Sequence, residues 1–270
     1  MSHASSKDRT PPLVIAHRGA NEGRPELENK LPAFERALTM GADMVECDVH
    51  LSADNEPVVI HDDTLDRTTT GSGSVNAHTA AELRRLGVPT LRELCRLVRG
   101  KARLLVEIKS ASPLHRNADT LVRAVSSGRP SLAADRSVRV TDAAANPSPI
   151  LDAIVAEKME RKVIVFSFHP EYLRPIVRLR PDIELAFLLG RFDARVPDLA
   201  SFIALGRELR ATTLAPNRKL CTPRLVQTVH DAGLRVFAWT ADSPRQQRAL
   251  IAAGVDGIIT NFPEQLKRLL

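Results

Sequence analysis

The chain is poor in cysteine and aromatic residues, and it has no long apolar run. Its three cysteines, Cys47, Cys95 and Cys221, are odd in number and scattered, with no CxxC pair. That pattern excludes a disulfide framework and a thiolate zinc site, and it predicts reduced thiols in a cytoplasmic protein. Aromatics are only 4% of the residues. Proteins that bind nucleic acid usually combine clustered Lys and Arg with aromatic stacking platforms. Here the net charge of +6 is spread along the chain, so no nucleic-acid partner is predicted. The charge reads as solvated helix faces, with a few cations aimed at a small anionic substrate. No apolar stretch approaches the roughly 18 residues that span a bilayer. The polar start MSHASSKDRT lacks the apolar core of a signal peptide, so no membrane anchor is expected. Nothing in the sequence speaks to oligomeric state.

The sequence does contain alternation. Apolar, β-branched runs at 13–17, 44–49, 58–61, 104–108, 163–166, 184–188, 212–215, 234–239 and 257–260 read as strands. Amphipathic segments at 31–40, 90–98, 171–179, 223–232 and 244–253 read as helices between them. Thr222 before Pro223 and Ser243 before Pro244 are helix starts, and Gly41, Gly233 and Gly254 are helix stops. Continuous apolar strands alternating with helices predict a parallel sheet, and this many repeats predict closure into an α/β fold, a (β/α)8 TIM barrel. Such barrels commonly use about 270 residues as one domain. The expected division is a polar tail at 1–10 and a single barrel domain at 11–270. The stretch 126–149, rich in Ser, Ala, Arg and Pro, reads as a surface insertion. Nine strand candidates exceed the eight that a barrel needs, so one must be peripheral. Residues 52–56 are too short for a helix and form a turn.

Ionisable residues gather where the strands end. The first strand ends in His17-Arg18-Gly19, the second carries Glu46 and Asp48, the third His61 and Asp62, and the fourth Glu107 and Lys109. Period two puts Glu46 and Asp48 on one face with Cys47 opposite, and Glu107 with Lys109 opposite Ile108. Barrel interiors are normally filled with branched apolar residues, so this density of charge needs a reason. Two bare carboxylates about 4 Å apart repel by roughly 4 kcal/mol at an effective dielectric near 20. Three converging acids therefore take up protons or recruit a cation, and their hard oxygens suit Mg²⁺ or Ca²⁺. Ion pairing with Arg18 and Lys109 alone accounts for one or two of the charges and leaves the clustering unexplained. His17 and His61 provide a proton acceptor and a donor. His50 and the remaining histidines lack comparable company. Arg18 and Lys109 suit a phosphate anion.

The same residues sit in ordered motifs: IAHRGA, ELEN, GADMVECDV, VVIHDDTLDRTTTGSGSV, LLVEIK, FAWTAD and GVDGIITNFPE. The set resembles the glycerophosphodiester phosphodiesterases along essentially the whole chain. That resemblance implies hydrolysis of small-molecule glycerophosphodiesters to glycerol 3-phosphate and an alcohol, with one divalent cation, Mg²⁺ or Ca²⁺. It further implies His17 and His61 as the catalytic acid/base pair, Glu46, Asp48 and Glu107 as metal ligands, and Arg18 and Lys109 as phosphate contacts. Glu28 and Asn29 would support the metal and His17, while Trp239 and Phe168 would wall the glycerol or alcohol group. In the path proposed for the family, a neighbouring substrate hydroxyl attacks phosphorus and water opens the cyclic phosphate; direct water attack is the other route. Departures are Lys30 in place of the usual Thr, Asn261 where Asp is common, and a short segment between Val75 and Pro89 that leaves the pocket more open. Two competing readings are a lysophospholipase D-like enzyme releasing a larger, greasier alcohol, and a barrel that binds phosphate esters without turning them over.

Overall fold

The fold comes from a computed structural model that describes residues 10–109 and 146–270. The tail expected at 1–10 lies outside the described residues except for Thr10. Only 146–149 of the anticipated insertion are described, and Ser148 and Pro149 already open a helix there.

Eight parallel strands form a closed barrel: β1 Leu13–His17, β2 Met44–Leu51, β4 Arg103–Ile108, β5 Val163–Ser167, β6 Glu184–Leu189, β7 Thr213–Pro216, β8 Arg235–Ala238 and β9 Gly257–Thr260. Closure runs through β1, which pairs in parallel with β2 on one side and β9 on the other. The surplus strand is β3, Pro57–Val59, which pairs antiparallel with the last three residues of β2. Its short turn is closed by Ser52, whose hydroxyl donates to Asp54 Oδ1 (2.6 Å) and accepts from the Glu56 amide (2.9 Å). Nine helices follow among the described residues: α1 Leu31–Thr39, α2 Ala80–Arg85, α3 Leu91–Val98, α4 Ser148–Ala156, α5 Pro170–Leu179, α6 Leu199–Glu208, α7 Pro223–Asp231, α8 Pro244–Ala253 and α9 Pro263–Lys267. Thr79, Thr90 and Ser243 close reciprocal capping boxes with Glu82, Glu93 and Gln246, pairing N–H groups that the first helical turn leaves open. The 75–89 segment expected to run straight into a helix thus contains a helix of its own, α2.

Three apolar layers result. The outward faces of the strands pack against the helices through residues such as Val45, Cys47, Val106 and Ile108. Inside the barrel, Ile15, Met44, Leu105, Ile164, Phe237 and Ile259 form a closed plug. A satellite cluster of Val58, Ile60, Leu65, Val75, Leu83 and Val88 holds together the lobe that β3 begins. All three cysteines are free and buried, as expected for reduced structural thiols. Burial pushes Cys95 and Cys221 up to about 12, so neither forms a thiolate near neutrality.

Candidate active site

Along the inward faces of β1, β2 and β4 the plug gives way to charge toward the strand's C-terminal end. Met44 is followed on its face by Glu46 and Asp48, Leu105 by Glu107, and Ile15 by His17. The parallel register sets His17 opposite Glu46 and Asp48 opposite Glu107. One carboxylate oxygen from each of Glu46, Asp48 and Glu107 lies within 4.8 Å of the other two, and all three residues are buried. Burial and the charges of Asp48 and Glu107 push Glu46 well above the usual carboxylate range. Burial also raises Glu107, although the Lys109 ammonium at 2.7 Å opposes it. Asp48 goes the other way. Burial opposes its ionisation, but Lys109 (2.9 Å) and Arg18 (3.0 Å) overcome that and hold it well below its ordinary value.

This donor set fits a hard cation. Three carboxylates face two cations, so the ionised cluster keeps an excess negative charge. Asp48 Oδ1 is buried and accepts no hydrogen bond, because Lys109 stands close to it but out of line. Glu46 Oε2 accepts the Arg18 backbone N–H (2.9 Å), and Asn29 donates to Asp48 Oδ2 (2.8 Å) while accepting the Asp48 amide (3.3 Å). These bonds orient the acids without neutralising them.

Both candidate histidines reach this cluster, by different routes. His17 closes β1, and its Nε2 stands 4.0 Å from Glu46 Oε2. His61 does not end a barrel strand, as its sequence position had implied. It follows β3, which runs back down from the tip of β2, and Ile60 there bonds the Asp48 carbonyl (3.0 Å). An antiparallel return thus delivers a side chain to the same rim that the parallel strands reach directly.

The ring nitrogens are assigned by their partners. Asn261 donates through Nδ2 to Asp242 Oδ2 (2.8 Å), so its Oδ1 is left to accept His17 Nδ1–H (2.8 Å). Asp62 Oδ1 accepts His61 Nδ1–H at 2.6 Å. In both rings Nε2 is therefore the nitrogen free to exchange a proton. Burial, reinforced by the neighbouring Arg18 charge, lowers His17 to about 3.

Among the other anticipated residues, Arg18 and Lys109 flank Asp48, and Trp239 and Phe168 meet edge to face at 5.3 Å. Trp239 Nε1 donates to the Ala215 carbonyl (2.7 Å), which leaves its ring face on the cavity wall. Asn29 bonds Asp48 and Glu28 bonds Arg18, but neither bonds His17, which Asn261 and Asn21 hold instead. Lys30 sits at the start of α1 and is lowered by burial; it belongs to the helix entry and not to the acid cluster. His50, which the sequence had set aside, is half-buried beside the site, and its Nε2 bonds the His61 carbonyl (3.0 Å). Burial lowers it to about 4. Its position two residues after Asp48 on the same strand face was the available signal. Asp242 and Arg67 were missed as well, and they bind residues distant in sequence.

His17, Arg18, Glu46, His61, Glu107 and Lys109 line one cavity of about 1580 Å³ at the C-terminal mouth of the barrel. It extends past Phe168 and Trp239 toward Val196 and Leu205.

Residues 17–265 match the glycerophosphoryl diester phosphodiesterase family. The chain is 32% identical over 272 residues to the glycerophosphodiester phosphodiesterase of Caldanaerobacter subterraneus subsp. tengcongensis, covering 96% of this chain and 97% of that one. It is 30% identical over 264 residues to the putative glycerophosphodiester phosphodiesterase YhdW of Bacillus subtilis, with 93% and 95% covered. Among solved structures, a putative glycerophosphoryl diester phosphodiesterase from Silicibacter pomeroyi superposes with a TM-score of 0.75 at 27% identity, covering 96% of this chain and 93% of that one. An Oleispira antarctica phosphodiesterase, solved with the product sn-glycerol-3-phosphate, shares the fold at a TM-score of 0.72 and 22% identity, with 96% of each chain covered. A family match that begins at His17 and ends past Asn261 takes in every residue of the rim just described, and on that ground the chain belongs to the glycerophosphoryl diester phosphodiesterase family.

Proposed function

We propose that this glycerophosphodiester phosphodiesterase hydrolyses its substrate with one divalent cation, Mg²⁺ or Ca²⁺, held by Glu46, Asp48 and Glu107, and with His17 and His61 as the acid/base pair. The observation that carries the proposal is the joining of three buried, converging carboxylates to two histidines whose Nδ1 atoms are both already engaged. A bound dication would turn the excess negative charge of the cluster into an excess positive one, matching a phosphodiester monoanion, and would supply Lewis-acid polarisation of a phosphoryl oxygen.

The chain's own residues do the rest. Arg18 and Lys109 offer a planar and a point charge to the phosphate. His17 enters uncharged, and its Nε2 takes the proton of the attacking hydroxyl, whether that belongs to the substrate's glycerol or to water. His61 has the Asp62 carboxylate at 2.6 Å, where His17 has only an amide oxygen, so it is the ring built to carry a proton and release it to the departing alcohol oxygen. Trp239 and Phe168 exclude water from the alcohol side.

The test is release of glycerol 3-phosphate from glycerophosphocholine by purified protein. Turnover should require added Mg²⁺ or Ca²⁺, and His61→Ala should lower kcat by about 10²- to 10⁴-fold with little change in melting temperature. Undiminished turnover after exhaustive EDTA dialysis would remove the cation from the proposal. A larger alcohol is the second reading, favoured by the length of the cavity, which continues to Val196 and Leu205 among the charged neighbours Arg191, Asp193 and Arg195. Lysophosphatidylcholine in the same assay separates the two.

A further inference from the structure

Arg67 has no part in the proposed chemistry, yet it stands at the centre of a continuous chain of charged contacts. His61 Nδ1 donates to Asp62 Oδ1 (2.6 Å). Arg67 forks onto that same carboxylate, Nε to Oδ2 at 2.6 Å and Nη2 to Oδ1 at 3.0 Å. Its Nη2 also donates to Glu28 Oε1. The other oxygen of Glu28 accepts from Arg18 Nη1 (3.1 Å), and Arg18 Nε lies 3.0 Å from Asp48 Oδ2. The series runs from a histidine on the β3 lobe to an acid inside the barrel, and Arg67 joins its two halves.

The backbone beneath Arg67 is built to hold it there. Leu65 is fully buried in the satellite core, the Leu65 amide bonds the Gly73 carbonyl (2.9 Å), and Thr69 folds back onto the Leu65 carbonyl (3.1 Å). The Arg67 side chain itself is 38% exposed, so its ion pairs contribute little to global stability. What a planar two-toothed contact adds at such a place is orientation, which a lysine ammonium does not reproduce.

We propose that Arg67 is a positioning residue: by clamping Asp62 and Glu28 together, it fixes His61 in its Nδ1–H tautomer and holds it in register with Arg18 and Asp48. A free Asp62 carboxylate could rotate away from the ring, and the neutral His61 left after donating its Nε2 proton would then populate both tautomers, only one of which presents an unprotonated Nε2 that can take a proton back for the next turnover. The inference rests on the acid/base role proposed for His61.

Steady-state kinetics on glycerophosphocholine with the divalent cation, comparing wild type with Arg67→Met and Arg67→Lys, tests it, together with ¹⁵N spectra of histidine-labelled protein. Arg67→Met should lower kcat about 10- to 100-fold with KM held within about threefold. Arg67→Lys should recover only a small part of that loss. The His61 ring signals should pass from a single Nδ1–H tautomer to a mixture. The double variant Arg67→Met/Asp62→Asn should be no slower than Asp62→Asn alone, since both act through one contact. An unchanged kcat, or a rise in KM with kcat intact and the tautomer unaltered, overturns the proposal and makes Arg67 at most a substrate contact. If Arg67→Met does not fold, the lysine variant and its His61 spectrum decide the matter. Survival of turnover in His61→Ala would instead remove the acid/base reading, and the tautomer spectrum would still report whether Arg67 sets the ring.

Discussion

Glu46 shows most directly how function and stability oppose one another at a single residue. Its folded pKa is raised by burial and by Asp48 and Glu107, so the folded chain holds a proton there more tightly than the unfolded chain does. Without a cation, this residue therefore subtracts stability as the pH rises through its folded pKa. Asp48 has the opposite sign: Lys109 and Arg18 overcome its burial, and its contribution is present above the ordinary Asp range and lost as the pH falls through its depressed value. Glu46→Gln should accordingly raise the melting temperature in EDTA at pH 7.5 by about 2–4 °C, the shift that roughly 1 kcal/mol produces in a chain of this size. The same change should abolish the stabilisation that Mg²⁺ or Ca²⁺ gives to wild type. That stabilisation should itself grow between pH 5 and pH 8, because protons and cation compete for Glu46. Scanning calorimetry with and without cation measures all of this, and a lower melting temperature for Glu46→Gln in EDTA would contradict the electrostatic account.

The turn that leaves β1 is the element on which the site depends most. Arg18 and Gly19 both have positive φ, 55° and 84°, so the chain reverses sharply within two residues after His17. A Cβ on Gly19 would stand 2.8 Å from the Ala33 carbonyl carbon in α1, with no flexible side chain to yield. Gly19→Ala combines that clash with left-handed backbone strain, and should cost more than about 1 kcal/mol of unfolding free energy in urea titrations. Because Arg18 donates its amide to Glu46 from this turn, kcat should fall together with stability, unlike the His61 variant. The β2–β3 hairpin does the equivalent work on the other side, carrying the satellite core and with it His61, Asp62 and Arg67.

For the molecule as a whole, the net charge is +6, while the substrate class is anionic at phosphorus. The field of the whole chain adds to the local cations during encounter, and salt screens it as the Debye length falls from about 30 Å at 0.01 M to about 8 Å at 0.15 M. Raising the ionic strength over that range should lower kcat/KM for the monoanion glycerophosphoglycerol several-fold and leave kcat unchanged. Zwitterionic glycerophosphocholine should respond less. Equal responses of the two substrates would mean that long-range steering plays no part.

The alternation of strands was legible because parallel strands are buried on both faces and read as continuous apolar runs. Other elements were not. Helix α6 is apolar almost throughout, with Gly206 packed against Leu214, so it lacks the polar face that marks a helix. Helix α2 spans six residues, too few for a period to register. The candidate site divides the same way. Period two along β2 and β4 was enough to bring Glu46, Asp48, Glu107 and Lys109 to one face, since alternation is a property of the local backbone. What each ring nitrogen bonds to was decided only by tertiary structure. His17 meets Asn261 across 244 residues because β1 closes the barrel on β9, and Arg67 meets Glu28 across 39 because the β3 hairpin folds back over the rim. Local periodicity chooses a face; closure and hairpin return choose neighbours, and hydrogen-bond partners this far apart leave no pattern in the chain that joins them.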